Sequence, residues 1–290
     1  MNKEGTGFVY VATGLRFVKE AAESAQYLKR HQNEKICLIT DRLYPEVNVF
    51  WDDVILLDNV HFNLKDKTYI YKAPYYKCVF LDTDTYVTEN VSELFLLLDE
   101  FDLAAHQLYE GHEYEMEGVP HAFPEFNTGV IAYRNTEEFE NFCLQWNTLY
   151  DHYEKDTPND QRSFRKTVYH SKLRHTVISP EYNYRPLTTN FAIQKLKIIH
   201  GRTFPLLQQL EKKMNKKTVH RAYVPTLDAV VSDYMELPDL WNIWKRSSIL
   251  FIKEIGKKLT PISFRNAIRN NKIIRRTFLK NDYHEWMRKQ

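Results

Sequence analysis

Cysteine is scarce, and its placement excludes more than its number does. Only Cys37, Cys78 and Cys143 occur in 290 residues, far apart, with Cys37 and Cys78 inside apolar runs. No spacing suits a zinc site, and scattered thiols of this kind build no disulfide framework. Buried free thiols in a reducing compartment are expected. Long apolar runs are missing too. No stretch approaches the roughly 20 consecutive apolar residues of a membrane-spanning helix. Met1–Gly7 is polar and lacks the apolar run of a secretory signal. Internal repeats and low-complexity tracts are also absent. The expectation is a soluble cytoplasmic protein. At 290 residues it can form one large domain, or one domain with an appendage.

Net charge is small, +2, but unevenly spread. From Trp241 onward 13 lysines and arginines face three acidic residues, a net +10, which leaves −8 on residues 1–240. Two parts with different jobs are expected: a domain over 1–240 and a basic helical appendage over 241–290. In the appendage Trp241, Trp244, Ile249, Leu250, Phe251 and Ile252 are interleaved with lysines. A basic amphipathic helix carrying tryptophan suits peripheral contact with a membrane surface. Packing on the acidic domain is the plainer alternative, and no nucleic acid partner is expected.

What is present in the first part centres on Lys77–Val87. Cys78–Leu81 is a short apolar run without alternation, as in a central strand of a parallel sheet covered on both faces. It ends on Asp82-Thr83-Asp84. An isolated Asp-x-Asp is common in solvated turns. Placed at the end of a buried strand, two adjacent charges are costly unless used. Ligands bind beyond the carboxyl ends of such strands, and paired carboxylates hold Mg2+ or Mn2+ against phosphates. A phosphatase loop with a nucleophilic aspartate would want Thr or Val where this chain has Tyr86.

Around that strand, Phe8–Thr13, Ile36–Thr40 and Val54–Leu57 read as strands, with a helix over Arg16–Arg30. This alternation predicts βαβ units and a mostly parallel sheet. Lys67–Tyr76 reads as a helix ending near Pro74, Ser92 opens another, and Phe101–Ala105 is a further strand. His106–Pro124 reads as a long loop over the cleft. Phe126–Tyr133 reads as a turn, Asn127-Thr128-Gly129, followed by a strand; Gly129 lets a backbone approach a ligand, and Asn127 can meet hydroxyls. A helix over Glu137–Tyr153 buries Phe139, Phe142, Trp146 and Leu149. Asp160, beside Gln161, reads by itself as a helix cap. Lys197–Arg202 delivers His200 at the end of a strand, followed by Gly201 and Arg202. A histidine there is usually structural; beside an Asp-x-Asp it is a candidate third metal ligand. Aromatics make up 14% of the chain, which suits either a cleft that stacks rings or a plain aromatic core.

In this order the first strand, Asp82-Thr83-Asp84, Asn127-Thr128-Gly129, Asp160-Gln161 and His200-Gly201 resemble the GT-A nucleotide-sugar glycosyltransferases of the glycogenin and lipopolysaccharide-galactosyltransferase type. The resemblance spans about residues 8–205. It implies an α/β, Rossmann-like GT-A fold with a mixed, mostly parallel sheet flanked by helices. It further implies that Val11, Ala12 and Thr13 line a nucleotide base and that Asp82, Asp84 and His200 hold Mn2+ or Mg2+. Asn127 and Gly129 would touch the donor sugar, Asp160 and Gln161 would lie at the anomeric carbon, and Lys67 would meet the donor. Arg202 takes the phosphate cation's place. The chain departs from the family in having Thr13-Gly14 where acidic residues are frequent, and His200-Gly201-Arg202 where the family has a His-x-x-Gly-x-x-Lys ending. The expected activity is retaining transfer of a sugar, from a UDP-sugar first of all, to a glycan or other hydroxyl acceptor. The rivals are a non-catalytic sugar-nucleotide or glycan-binding protein on the same fold, and a nucleotidyltransferase using the same carboxylates.

Overall fold

The computed structural model describes residues 3–47, 51–108, 115–154, 159–187, 190–233, 235, 240, 241 and 243–250. Its frame is a seven-stranded sheet of order β3-β2-β1-β4-β7-β6-β8. The strands are β1 (Thr6–Val11), β2 (Lys35–Thr40), β3 (Asp53–Leu56), β4 (Lys77–Leu81), β6 (Leu103–Gln107), β7 (Phe126–Arg134) and β8 (His175–Ile178). Four of its six pairings are parallel; β7 runs antiparallel to both β4 and β6. The sheet is therefore mixed and mostly parallel, flanked by helices, as the alternation of elements predicts. β4 is central, but it is parallel only to β1 and antiparallel to β7.

Alternate side chains of the apolar strands enter two different cores. Phe8 and Tyr10 join a cluster with Val18, Ala25 and Leu28 of α1 (Leu15–Lys29). Val9 enters the opposite cluster with Phe139, Phe142 and Trp146 of α2 (Glu137–Tyr153) and Phe164 of α3 (Gln161–His170). A strand covered on both faces has no polar side, which explains the unbroken apolar run. Much of the aromatic content goes into this second core, where the Tyr133 and Phe139 rings stack at 4.1 Å. All three cysteines are buried there as free thiols. In α2 it is Tyr150 that completes the buried stripe, with Leu149 only part-buried.

Two segments expected as ordinary helices are 3-10 helices, Leu64–Lys72 and Ser92–Asp99. In the first, Asn63 caps the start by accepting from the Lys65 amide, and Lys65, Asp66, Lys67 and Thr68 are all buried. Four consecutive buried polar residues find partners on several sides, and the tighter three-residue turn delivers them there. Asn127-Thr128-Gly129 is not a turn but lies within β7. Pairing with β6 jumps there, from Ala105↔Ile131 to His106↔Asn127. The intervening residues are left to bulge out of the ladder, a local feature that re-aims side chains. Of the loop over His106–Pro124, residues 109–114 lie outside the described residues; beyond them Met116 and Val119 form an isolated bridge.

A small two-stranded sheet pairs β5 (Thr85–Val87) with β10 (Ile198–His200), after the short strand β9 (Phe191–Ala192) and before α4 (Phe204–Met214). The chain divides into two units, Met1–Ala222 and Tyr223 onward. In the second, Trp241 and Trp244 stack at 5.0 Å and are 63% and 60% exposed. Most of the basic appendage, residues 251–290, lies outside the described residues. No helix among the described residues is long and apolar enough to cross a membrane.

Candidate functional site

β4 delivers Asp82 at its carboxyl end, where the Asp82 amide donates to the Gly129 carbonyl on β7 at 2.9 Å. Thr85 closes the turn by donating its hydroxyl to the Asp82 carbonyl. β5 then pairs antiparallel with β10, setting His200 opposite Thr85. The turn and the pairing bring three side chains together. His200 Nε2 lies 3.2 Å from Asp84 Oδ1 and 3.5 Å from Asp82 Oδ2. Among the described residues this is the one group able to hold a metal ion through three ligands, with donor atoms within 4.8 Å of one another.

The histidine ring is oriented from behind. Nδ1 lies 3.1 Å from Asn127 Oδ1 and 3.0 Å from Asn183 Oδ1. Asn183 Nδ2 in turn donates to Asn127 Oδ1 at 2.8 Å. Two carbonyl acceptors at Nδ1 keep a proton there, which leaves Nε2, on the carboxylate side, as the nitrogen able to give up its proton and offer a lone pair to a cation. Protonated at Nδ1 alone, the ring is the tautomer a metal needs, with the outer partners fixing it. Two carboxylates and one imidazole make a donor set that fits Mn2+ or Mg2+. Asn127 is buried and serves His200. Asn183 carries no signal in the sequence because it belongs to no motif.

The two aspartates titrate in opposite directions. Burial pushes Asp82 upward, against the opposing pull of Lys67 and His200. Burial acts on Asp84 as well, but the His200 ring, Arg202 and Lys67 outweigh it and hold Asp84 down at about 2. Asp84 is thus the permanently ionised member. Arg202 Nε lies 3.9 Å from Asp84 and 3.7 Å from Glu20, whose other oxygen accepts from the Thr83 hydroxyl at 2.6 Å. Glu20 also borders a cavity of about 310 Å³ beside Thr203 and Phe204.

Gly129 is required at its place by the histidine. A Cβ there would sit 2.0 Å from a His200 ring carbon, and the ring cannot retreat without breaking both asparagine contacts. Gly129→Ala is expected to weaken Mn2+ binding by about 10–100-fold while destabilising the fold by about 1–3 kcal/mol. Calorimetric Mn2+ titration and thermal unfolding measure both; wild-type affinity in the variant would contradict the close packing.

Lys67 forms a second cluster. It is 5% exposed and its Nζ contacts Asp82 at 3.0 Å, Asp160 at 2.8 Å and the Thr128 hydroxyl at 3.2 Å. Thr128 donates to Asp160 at 2.8 Å. Asp160 occupies the cap position of α3 without capping through its side chain; Asn159 Oδ1 accepts from the Asp160 and Gln161 amides instead. Gln161 is the first residue of α3 and part-exposed. At the end of β1, Val11 is part-exposed, Ala12 and Thr13 are buried, and the Thr13 hydroxyl donates to Asp66 at 2.8 Å.

Glu125, just before β7, is 8% exposed and neither carboxylate oxygen has a hydrogen-bond partner. Burial pushes it up to about 7; Arg165 and Arg162 oppose that shift and Glu154 adds to it. The folded protein thus holds a proton that the unfolded chain releases from about pH 4.5 upward. This contribution to stability is full below that pH and is lost as pH rises through about 7. Glu125→Gln should gain on wild type by about 2–3 kcal/mol between pH 5 and pH 8 in urea unfolding, at about 1.4 kcal/mol per pH unit. Parallel pH profiles would mean that Glu125 is solvated.

No protein-family model matches the chain, and no curated protein matches its sequence. Solved structures do. The galactosyltransferase LgtC, solved with donor and acceptor sugar analogues, is 11% identical and superposes with a TM-score of 0.52, over 68% of this chain and 87% of LgtC. The glycosyltransferase GlyE of Streptococcus pneumoniae TIGR4 is 18% identical with a TM-score of 0.51, over 89% of this chain. The match spans 64% of GlyE's own length. At such identities the likeness concerns the fold, and it agrees with the sheet order and the strand-end carboxylates: the chain has the GT-A fold of the nucleotide-sugar glycosyltransferases.

Proposed function

We propose that the protein is a metal-dependent glycosyltransferase that moves a sugar from a nucleoside-diphosphate donor, a UDP-sugar first of all, to a glycan hydroxyl with retention of configuration. The observation that carries this reading is the meeting of Asp82, Asp84 and a His200 protonated at Nδ1 at the carboxyl end of β4. Those three residues would hold Mn2+ or Mg2+. When bound, such a cation supplies Lewis-acid stabilisation of the departing diphosphate.

The chain's own residues divide the remaining work. Asp84 stays ionised at working pH and keeps the site anionic enough to attract a cation. Arg202, part-exposed beside Asp84, can turn its guanidinium to a phosphate oxygen. Lys67 locks Asp82 and Asp160 together, so that neither carboxylate must be reorganised when substrate arrives. Gln161 stands at the amino end of α3 and offers its side-chain carbonyl to the positive charge that develops on a sugar ring in transfer. Val11, Ala12 and Thr13 border the place for the base. Asn127 and Gly129 act on the donor through His200, which they position.

The direct test is calorimetric titration of UDP, GDP and their sugar conjugates, with and without Mn2+. Metal-dependent binding of one nucleotide, with transfer or hydrolysis of its sugar conjugate, is expected. Absence of nucleotide binding in the presence of Mn2+ would overturn the reading.

The residues from 241 onward are proposed to hold the enzyme on anionic membranes, where glycan acceptors can be anchored. The exposed, stacked Trp241 and Trp244 supply apolar rings beside Lys245. Basic residues near an anionic surface each contribute about 1 kcal/mol. Co-sedimentation with phosphatidylserine vesicles should be salt-sensitive, and Trp241→Ala/Trp244→Ala should reduce it at least about tenfold. Full recovery of wild type in the supernatant would remove this part of the proposal.

A further inference from the structure

The sheet order places β2 and β3 on one side of β1 and β4 on the other. The crevice beyond the carboxyl ends of β1 and β4 is the topological switch point, the place where open α/β sheets bind ligands. Its β4 side carries the metal-ligating group. Its β1 side carries Thr13 and Gly14, and against them stands a residue that no motif announced.

Phe62 is 59% exposed and has a left-handed backbone, with φ at 54°. Both features are unfavourable for a phenylalanine. Its ring gains nothing from water, and a bulky side chain at positive φ is strained. The position is nevertheless firmly held. Asp66, itself buried, accepts from the His61 amide at 2.8 Å, the Phe62 amide at 2.9 Å and the Thr13 hydroxyl at 2.8 Å. A single carboxylate thus pins the strained loop to the end of β1. An outlier over-determined by its surroundings points to use at a site rather than to an accident of packing.

What the ring faces gives its use. Gly14 has φ at 84° and no side chain; a Cβ built on it would meet only Phe62 Cδ1 within 4 Å, at 3.9 Å. Beside the ring there is therefore room bordered by backbone. Asp66 is followed at once by Lys67, which reaches Asp82 and Asp160. The same short segment thus touches the phosphate end of the crevice with a buried cation and its β1 end with an exposed aromatic face.

We propose that Phe62 is the stacking platform for the nucleobase of the donor, set at the β1 end of the crevice by the Asp66 carboxylate. Phe62 takes this role only if the protein binds a nucleotide donor, as proposed above. Stacking uses the face that every base possesses, so Phe62 supplies affinity for the base without choosing among bases.

The test titrates UDP, GDP and inorganic pyrophosphate, each with Mn2+, into wild type, Phe62→Gly and Phe62→Trp. Glycine accepts positive φ without strain, so Phe62→Gly should unfold at the same or a higher temperature than wild type. It should bind UDP and GDP about 10–100-fold more weakly, by similar factors, as expected for loss of one stacked base. Pyrophosphate binding should not change. Phe62→Trp should bind at least as tightly as wild type, with its fluorescence quenched by nucleotide. If wild type binds a nucleoside diphosphate and Phe62→Gly binds it equally well, the platform is disproved while the glycosyltransferase reading stands. The platform is equally disproved if Phe62→Gly weakens pyrophosphate as much as UDP. If wild type binds pyrophosphate but no nucleoside diphosphate, the nucleotide-sugar reading falls and the role of Phe62 falls with it.

Discussion

Asp84→Ala is expected to remove tight Mn2+ binding and to lower sugar transfer by at least about a thousandfold, some 4 kcal/mol of transition-state stabilisation. The size follows from the residue's electrostatics. Asp82 is pushed toward its neutral form by burial, whereas Asp84 is held ionised down to about 2. Asp84 is therefore the carboxylate that is certain to carry charge at neutral pH. Without it His200 faces Asp82 alone, and Arg202 keeps only Glu20 of its two acidic neighbours. Some stability should go as well, because His200, Arg202 and Lys67 favour the charged form of Asp84 in the folded protein. Relief of its repulsion with Asp82 offsets that only in part, so the melting temperature should fall modestly while the variant still folds. A thousandfold loss of transfer in a variant that remains folded is the pattern of a functional carboxylate. Mn2+ calorimetry, transfer assays and thermal unfolding on one preparation decide the matter. Transfer at wild-type rate in Asp84→Ala would exclude the metal-dependent mechanism.

Much of this site is legible in the amino-acid sequence. An apolar run without alternation, ending in two carboxylates, names a buried strand and its chemical end. The strand that delivers His200 reads in the same way. In the folded chain these two ends do converge, through the β5–β10 pairing. What the sequence hides depends on distance along the chain. Asn183 and Thr128 acquire their roles from partners 17 and 32 residues away, His200 and Asp160. Asp160 illustrates the same limit: it reads locally as a helix cap, yet Asn159 takes that task and Asp160 turns to Lys67. Asn127-Thr128-Gly129 has the composition of a turn, and its place inside β7 is imposed by the two strands that flank it. Phe62 carries no local signal at all, since an aromatic residue in a loop looks the same whether strained and used or merely exposed.

Lys67→Met should cost about 3–5 kcal/mol of stability, the usual loss when one partner of a buried ion pair is removed. Lys67 is almost wholly buried and its ammonium donates to three acceptors, Asp82, Asp160 and Thr128. Burial alone would lower its pKa, but the two aspartates overcome that and raise it, so the charge is kept. Methionine fills nearly the same volume and removes the charge, which leaves two carboxylates in one enclosed space. Replacing one of them as well should restore part of the loss. In Lys67→Met/Asp160→Asn the asparagine oxygen still accepts from Thr128, and a coupling of about 0.5–3 kcal/mol between the two changes is expected. The deficit of Lys67→Met should also shrink at lower pH, because Asp82, already displaced upward by burial, can take up a proton and become neutral. Urea unfolding of the two single variants and the double variant at pH 7 and pH 5 measures all three terms. A loss below about 1 kcal/mol for Lys67→Met at pH 7 would place the pair in the class of solvated surface bridges. Lys67 would then be a donor-facing cation held ready in water, and the site would lack the rigid, dehydrated pairing on which its electrostatic preorganisation depends.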